Sequence, residues 1–294
     1  MKKTTLLLLL LLNMFFWAGN FYAVKIALLS YGPMSVAVLR FLLGAIVLLL
    51  VIYYQLGNQL FSLKFSKKEW WYMFLTSFTG IFIAMYCFNV GLKTTSAING
   101  SLIVSTGPAI TAILSYIFLK IKLNWLQLIA IIISFIGVTI VLVDGNISKL
   151  LHLQFTIGDV YILIMATGFS LSQIIVSKYL THIDTTVMTT ITCAMGVGLF
   201  ALFSIPEFMT TPIPTDIAFW TSILFMGICG TGIAYAIYFY CVVELGATTA
   251  TLFLNLIPLF TVLLAFLFGE ALLLSQLIGG SITIGGLLLF RYAR

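Results

Sequence analysis

Charged side chains are scarce in this sequence. Of its 294 residues only 7% are Asp, Glu, Lys or Arg, whereas 62% are hydrophobic. A soluble globular protein carries roughly 25% charged residues, because its surface has to be hydrated. This sequence cannot form such a surface, which excludes a soluble globular protein. Lipid accepts an apolar exterior, so the composition indicates a membrane protein.

Groups that carry metal, redox or nucleic-acid chemistry are also lacking. The four cysteines lie inside apolar segments and form no Cys-x-x-Cys pair, and no Cys/His cluster has the spacing of a metal site. We therefore expect no metal and no other cofactor. The net charge of +6 does not indicate a nucleic-acid partner, because the basic residues are scattered between apolar segments and form no patch.

Motifs of an intramembrane enzyme are missing as well. The sequence has no His-Glu-x-x-His, no Gly-x-Ser-x-Gly and no paired aspartates in the middle of a span, so we expect no enzyme. Every acidic residue lies in a loop or at a segment end, whereas a proton relay normally uses carboxylates inside the membrane. If protons are coupled, Glu244 and Glu270 near the interfaces are the remaining candidates.

Apolar segments of spanning length recur along the whole chain. A spanning helix needs roughly 20 mostly apolar residues. We predict an all-α integral membrane protein with ten transmembrane helices. The segments, helix 1 to helix 10, are 5–28, 34–54, 70–91, 98–119, 124–143, 158–179, 186–205, 218–241, 247–268 and 275–291. Lys2, Lys3 and the leucine run 6–12 resemble a signal peptide, but the apolar stretch continues to about Leu29, so we expect helix 1 to be retained.

The placement of Lys and Arg predicts the orientation, because cytoplasmic loops carry an excess of both. With the N-terminus in the cytoplasm, the outer side receives only Lys25, Lys93 and Lys149, and Arg40 lies inside helix 2. The cytoplasmic side receives Lys2, Lys3, Lys64, Lys67, Lys68, Lys120, Lys122, Lys178, Arg291 and Arg294. We therefore predict a multi-pass protein of the cytoplasmic (inner) membrane with both termini cytoplasmic.

The two halves of the chain resemble each other. A shift of 150 residues places nine residues around helices 3 and 4 on identical residues, among them Gly80 on Gly230 and Pro108 on Pro258. We expect residues 1–150 to form a first five-helix repeat and residues 151–294 a second. An odd number of helices inverts the second repeat, and inverted repeats are a recurrent design of secondary transporters.

Polar residues recur on one face of several predicted helices. In helix 1, Asn13, Trp17 and Asn20 are spaced i, i+4, i+7 and share one face. Helix 6 repeats this face with Ser170, Gln173 and Ser177, helix 4 has Ser101, Ser105 and Pro108, and helix 9 has Thr251, Asn255 and Pro258. Helix 3 adds Tyr86 and Asn89, and helix 8 adds Thr231, Tyr235 and Tyr238.

These faces predict a central cavity bounded by helices 1, 3, 4, 6, 8 and 9 together with helices 2 and 7, while helices 5 and 10 pack outside. The candidate substrate-binding residues are Trp17, Asn20, Arg40, Tyr86, Asn89, Ser105, Gln173, Tyr235 and Asn255. Pro108 and Pro258 are candidate hinges, because a proline inside a helix permits a kink. The alternative for any one polar residue is a hydrogen bond between packed helices without ligand contact. Arg40 either attracts a substrate carboxylate or phosphate, or snorkels or binds a backbone carbonyl, and we favour the structural role.

Several motifs are weak alone, but their order along the chain is specific. Trp17 is followed by Lys25, Pro33 and Arg40, and Pro108 in helix 4 has its counterpart Pro258 in helix 9. The last motif is Phe268-Gly269-Glu270, then Gln276, Gly279, Gly285 and Gly286. On these residues the sequence resembles the EamA-type group of the drug/metabolite transporter superfamily over almost its whole length. It departs from the pattern at Lys120, where the second half has Glu270, and at Ser170, where the first repeat has a tryptophan.

The resemblance implies an inner-membrane carrier, frequently an exporter of amino acids or related metabolites. We therefore predict a secondary transporter or facilitator that exports an amino acid or a related neutral or zwitterionic solute by alternating access. Its expected partners are the solute and the lipid bilayer, and its expected state is a monomer or weak homodimer. The alternative is a non-transporting accessory subunit of a membrane or lipid-moving complex, against which the polar lining argues.

Overall fold

The computed structural model of the chain describes residues 3–95, 103–143, 146, 148, 156–267 and 273–293. All regular structure in these residues is helical. The helices are α1 (Lys3–Ser30), α2 (Pro33–Leu56), α3 (Lys67–Thr94), α4 (Gly107–Leu119), α5 (Trp125–Leu142), α6 (Ile157–Leu180), α7 (Thr185–Thr210), α8 (Ile217–Leu245), α9 (247–267) and α10 (Leu274–Tyr292). Ser101, Phe268, Gly269 and Glu270, which were named above, lie outside the described residues.

Seven of these helices are long and apolar enough to cross a membrane, namely α1, α2, α3, α6, α7, α8 and α9. The helices α4, α5 and α10 are apolar but shorter in the part of the chain that is described. The prediction of an all-α protein with several spanning helices is thus confirmed, and length and composition alone assign seven spans.

Side-chain caps begin several of the helices. Ser66 and Glu69 form a capping box at the start of α3, and Asn124 and Gln127 form another at the start of α5. At the start of α8, the Asp216 carboxylate accepts a hydrogen bond from the Phe219 backbone N–H. These caps satisfy N–H groups that have no partner within the helix and that lipid could not satisfy.

The helices pack in pairs that cross between the two halves of the chain. The pairs are α1 with α8, α2 with α7, α3 with α6, α4 with α9, and α5 with α10. The pair α3 and α6 is antiparallel, because Gly91 approaches Gly158 at one end and Tyr72 stacks on Tyr179 at the other. The core of the molecule therefore lies between the two halves of the chain.

Several of the helices that surround the core are irregular. A π-helical turn interrupts α3 at Phe78–Ile83 and α8 at Ile228–Ile233, positions that correspond under the shift of 150 residues. In α9 a 3-10 turn, Phe253–Leu256, precedes the helical segment that contains Pro258. In α4, Pro108 lies in the first turn, where a backbone N–H would have no helical partner. Both prolines thus follow a break in the helical hydrogen bonding.

Small residues bring α5 and α10 into close contact. A Cβ atom added at Gly286 would lie 2.7 Å from the Ser134 backbone nitrogen and 2.9 Å from the Ala130 carbonyl oxygen. The neighbouring Gly285 is exposed, and a Cβ there would meet nothing within 4 Å. Such close backbone approach, made possible by small residues, is the usual means of packing helices in lipid.

We predict that Gly286→Ala lowers the stability of the protein by about 1–3 kcal/mol, because the added methyl group overpacks the contact between α5 and α10. Thermal unfolding of the purified protein in detergent measures this effect. Gly285→Ala is the matched control and should be neutral or slightly stabilising, because alanine favours a helix more than glycine does. Equal effects of the two substitutions would contradict this packing.

Candidate functional site

A cavity of about 90 Å³ lies between the two halves of the chain. Its lining is mostly apolar, and its polar groups are contributed by Trp17, Asn20, Arg40, Ser170 and Tyr235. The apolar remainder of the lining consists of Phe21, Met85, Phe88, Val104, Gly107, Met165, Ala166, Phe169, Leu254 and Ile257.

The Gly230 carbonyl group, in the π-helical turn of α8, is a common acceptor for three side chains of the cavity wall. Trp17 Nε1 donates to it at 3.1 Å, Arg40 Nη2 at 3.3 Å and Asn20 Nδ2 at 3.5 Å. Glycine is required at this position, because a Cβ atom would collide with the amide group of Asn20. One backbone oxygen thereby fixes the positions of three predicted binding residues.

Arg40 lies in the second turn of α2 and is 5% exposed. Its Nε donates to Thr231 Oγ1 at 2.8 Å, and its Cζ lies 5.3 Å from the centre of the Phe41 ring. Its Nη2 donates to the Gly230 carbonyl, so that both acceptors, a hydroxyl group and a carbonyl group, are neutral. Arg40 thus donates to a backbone carbonyl group, and the same side chain also lines the cavity.

Four aromatic rings close one end of the cavity. The ring of Trp17 lies 5.9 Å from that of Tyr235, 5.8 Å from that of Phe169 and 4.9 Å from that of Tyr238. Phe169 and Tyr238 stack at 5.5 Å. Edge-to-face and offset-stacked pairs of this kind are favourable contacts, and their faces also attract apolar or cationic parts of a ligand.

A layer of amide and hydroxyl groups lies behind these rings. Gln173 Oε1 accepts a hydrogen bond from the Tyr238 hydroxyl at 3.1 Å and a short one from the Thr251 hydroxyl. The Thr111 hydroxyl donates to Ser170 Oγ at 2.9 Å. This layer joins α4, α6, α8 and α9 through side chains alone, so that separating the helices breaks only side-chain hydrogen bonds.

The cavity lies nearer to one face of the molecule. Its lining comes from the second half of α1, the last third of α3 and the start of α4, which point to the face that carries the connection between α1 and α2. At the opposite face the Tyr72 and Tyr179 rings stack at 4.0 Å, and Glu69 Oε1 lies 2.6 Å from His182 Nε2. Lys178 Nζ also donates to the Phe118 carbonyl at 2.8 Å there. We call this second face the closed face.

The structure brings four of the nine predicted binding residues, Trp17, Asn20, Arg40 and Tyr235, to the cavity wall. Gln173 lies in the polar layer behind the wall. The remaining residues are not in the lining: Tyr86 contacts the Tyr161 ring at 6.5 Å, Asn89 donates to the Pro33 carbonyl, Ser105 is buried, and Asn255 donates to Ser134 Oγ. The hinge candidates Pro108 and Pro258 are buried at the helix breaks described above.

Several buried side-chain atoms of the helices around the cavity have no hydrogen-bond partner among the described residues. They are both amide atoms of Asn13, Oδ1 of Asn20, Nε2 of Gln173 and Oδ1 of Asn255. Leaving a buried polar group without a hydrogen-bond partner destabilises the folded protein by about 1–3 kcal/mol. These atoms are therefore suited to bind water or a solute.

The residues that the sequence failed to indicate are apolar or backbone groups. Phe169, Met85 and Phe88 line the cavity but do not differ in type from the many lipid-facing residues of the chain. The role of the Gly230 carbonyl had one sequence signal, the repeat of Gly80 at Gly230. The repeated glycine indicates that two helices approach closely, but it does not indicate that the Gly230 carbonyl accepts hydrogen bonds from three side chains.

A second cavity of about 440 Å³ lies between the start of α1 and the helices α8, α9 and α10. Its described lining residues are all hydrocarbon apart from Thr249, and none of them has a charged side chain or a side-chain amide group. Recognition of a polar metabolite requires a few placed polar groups. The cavity beside Arg40 is therefore the candidate functional site.

These features define the class of the protein: a multi-pass helical membrane protein with a central, partly polar cavity between its two halves, which is the architecture of membrane transporters. The chain belongs to the EamA-like transporter family, whose model matches residues 4–143 and again residues 156–292. The resemblance stated from the sequence motifs is thereby confirmed.

Known proteins of similar sequence agree with this assignment. The chain is 31% identical over 276 residues to the uncharacterized transporter YyaM of Bacillus subtilis, covering 93% of this chain and 89% of that protein. It is 27% identical over 280 residues to an uncharacterized transporter of Archaeoglobus fulgidus, covering 95% and 94%. A protein of known crystal structure has the same fold, with a TM-score of 0.78 at 17% identity, over 100% of this chain and 99% of the other. The chain is a membrane transporter.

We predict that Gly230→Ala destabilises the protein by about 1–3 kcal/mol, because the new methyl group collides with the Asn20 amide and overpacks the contact between α1 and α8. The double variant Gly230→Ala/Asn20→Ala should recover part of this loss, since it removes the colliding group. Thermal unfolding in detergent measures both. Gly198→Ala is the control, because a Cβ at Gly198 meets nothing within 4 Å. Additive effects of the two single substitutions would contradict the contact.

Proposed function

We propose that the chain forms ten transmembrane helices arranged as two inverted five-helix repeats, residues 1–150 and 151–294. The helix pairing supports this arrangement. In such a repeat α6 corresponds to α1 and α8 to α3, and the pair α1 with α8 is matched by the pair α6 with α3. The helices α2 and α5 pack on their own counterparts, α7 and α10. The matching π-helical turns at Gly80 and Gly230 and the double match of the family model support it as well. On this proposal α4, α5 and α10 also cross the membrane.

The proposed orientation has both termini in the cytoplasm, in a cytoplasmic (inner) membrane. The excess of Lys and Arg in the loops that would then be cytoplasmic supports it. The face that carries the connection between α1 and α2 is then the outer face, and the closed face is cytoplasmic. The cavity would lie on the outer side of its polar and aromatic closure.

The proposed function is export of a small metabolite, an amino acid or a related neutral or zwitterionic solute, by alternating access. The observation that carries it is the partly polar cavity between the two halves, which is closed on one side by contacts of side chains. In the proposed cycle the closed face opens, the solute enters from the cytoplasm, and the closure then re-forms behind it. The breaks at Pro108 and Pro258 are the proposed hinges, since helical hydrogen bonding is already interrupted there.

The proposed binding residues have different parts in this cycle. Trp17, Asn20, Arg40 and Tyr235 contact the solute in the conformation described above. Gln173 and Asn255, each with an unpartnered buried amide atom, become accessible when the closed face opens. Tyr86, Asn89 and Ser105 complete the set from α3 and the start of α4. The protein works without a cofactor or nucleic acid, as a monomer or weak homodimer.

We predict that purified protein in proteoliposomes transports a solute from a panel of labelled amino acids and related metabolites with saturable kinetics. Asn20→Ala/Gln173→Ala should reduce this transport about tenfold or more, because it removes two amide groups of the path. Gln55→Ala, at the exposed end of α2, is the matched control and should transport normally.

The same experiment separates this function from that of an accessory subunit. Correct insertion and a monodisperse elution profile are checked for each variant, so that loss of transport is not loss of folding. An inserted, folded protein that moves no solute and instead co-purifies with a membrane partner would contradict the proposal.

A further inference from the structure

Arg40 is a buried cation without an acidic partner in the part of the chain that is described. Its hydrogen bonds lead to Thr231 Oγ1 and the Gly230 carbonyl, both neutral. The described acidic residues, Glu69, Asp159, Asp184, Glu207, Asp216 and Glu244, all lie at or near helix ends. A charged group inside a membrane is costly unless it is paired or faces a cavity.

The guanidinium group has donors to spare. It carries five N–H groups in a planar fork, and the contacts with Thr231 and Gly230 involve Nε and Nη2. Arg40 also lines the central cavity, whose other polar groups are neutral. Among the described residues, the cavity wall thus has one positive charge and none of the opposite sign.

We propose that the solute carries a carboxylate that binds Arg40, and an apolar body that lies against the aromatic wall. This inference rests on the proposed transport function and narrows its substrate class. A planar carboxylate matches the guanidinium fork, and such charge-assisted pairs are stronger than neutral hydrogen bonds. The rings of Trp17 and Phe169, with Met85 and Phe88, provide an apolar surface of the matching kind.

A carboxylate fits this wall better than a more highly charged anion. A phosphate monoester carries a charge of about −1.5 to −2 and generally binds to several cationic or N–H donors. The cavity wall supplies a single guanidinium group, and the rest of it is largely apolar. A compound with a carboxylate but no amino group should also bind, because none of the described lining residues is an acid that could receive an ammonium group.

The test uses matched pairs that differ only in charge: 3-phenylpropanoate with 3-phenylpropanamide, and 4-methylpentanoate with 4-methylpentanamide. Binding is measured as thermal stabilisation of the purified wild-type protein, and competition is measured against the labelled solute that it transports. We expect each carboxylate to bind about tenfold or more tightly than its amide, the discrimination of one charge-assisted hydrogen bond. Equal binding of the carboxylates and the amides would overturn the proposal.

The variants Arg40→Gln and Arg40→Lys assign the preference to this residue. Gln keeps donors for Gly230 but removes the charge, so the preference for carboxylates should disappear, whereas Lys should keep part of it. Lys25→Gln, which removes an exposed cation at the end of α1, should leave the preference unchanged. A carboxylate preference that persists undiminished in Arg40→Gln would also overturn the proposal.

The two readouts keep this inference separate from the proposed function. Because the thermal measurement needs no transport, carboxylate binding without solute movement would support the carboxylate site and contradict the transport function. Transport without any preference for the carboxylate over the amide would support the transport function and contradict the carboxylate site. The carboxylate preference is tested on the wild-type protein with the matched pairs, so the test does not depend on the stability of the variants.

Discussion

The Gly230 carbonyl is the acceptor on which the architecture around the cavity depends. Lipid offers no water to a buried donor, so each donor in the membrane needs a partner within the protein. Here Trp17, Asn20 and Arg40, from two helices of the first half, share one oxygen of the second half. The arrangement requires glycine, because any side chain at this position would displace Asn20. A single backbone group therefore holds α1 and α2 against α8 and at the same time shapes the cavity.

Contacts between the helices are of two kinds. At the closed face the contacts between helices are side-chain contacts: the Tyr72 and Tyr179 stack, the approach of Glu69 to His182 and the bond from Lys178 to the end of α4. Contacts of this kind are individually weak and can break without disturbing helical backbone hydrogen bonds. The glycine-mediated contact between α5 and α10, in contrast, is a close backbone approach. A scaffold and a movable closure are thus built from the same helices with different residues at their contacts.

The sequence predicted the fold further than it predicted the site. Hydropathy predicted most of the described helices to within a few residues, although the predicted start of helix 4 at residue 98 lies outside the described residues. The motif order identified the family. Trp17, Asn20 and Tyr235, which line the cavity, were predicted from helical periodicity, and Arg40 was predicted from its charge inside helix 2. Periodicity shows which residues share a helix face but not which residues that face contacts. It therefore did not show that Asn89 donates to Pro33 or that Asn255 donates to Ser134. The apolar wall could not be found at all, because phenylalanine and methionine are as common on the lipid side.

The most direct test of the central claim, that the closed face must open for a solute to pass, is a reversible cross-link between α3 and α6. Tyr72→Cys/Tyr179→Cys, with the four native cysteines replaced by alanine, places a thiol pair where the two rings stack at 4.0 Å. The account predicts that oxidation, or a short thiol cross-linker, stops solute movement in proteoliposomes and that reduction restores it, while Tyr179→Cys alone is unaffected. Undiminished transport by the fully cross-linked protein would contradict it.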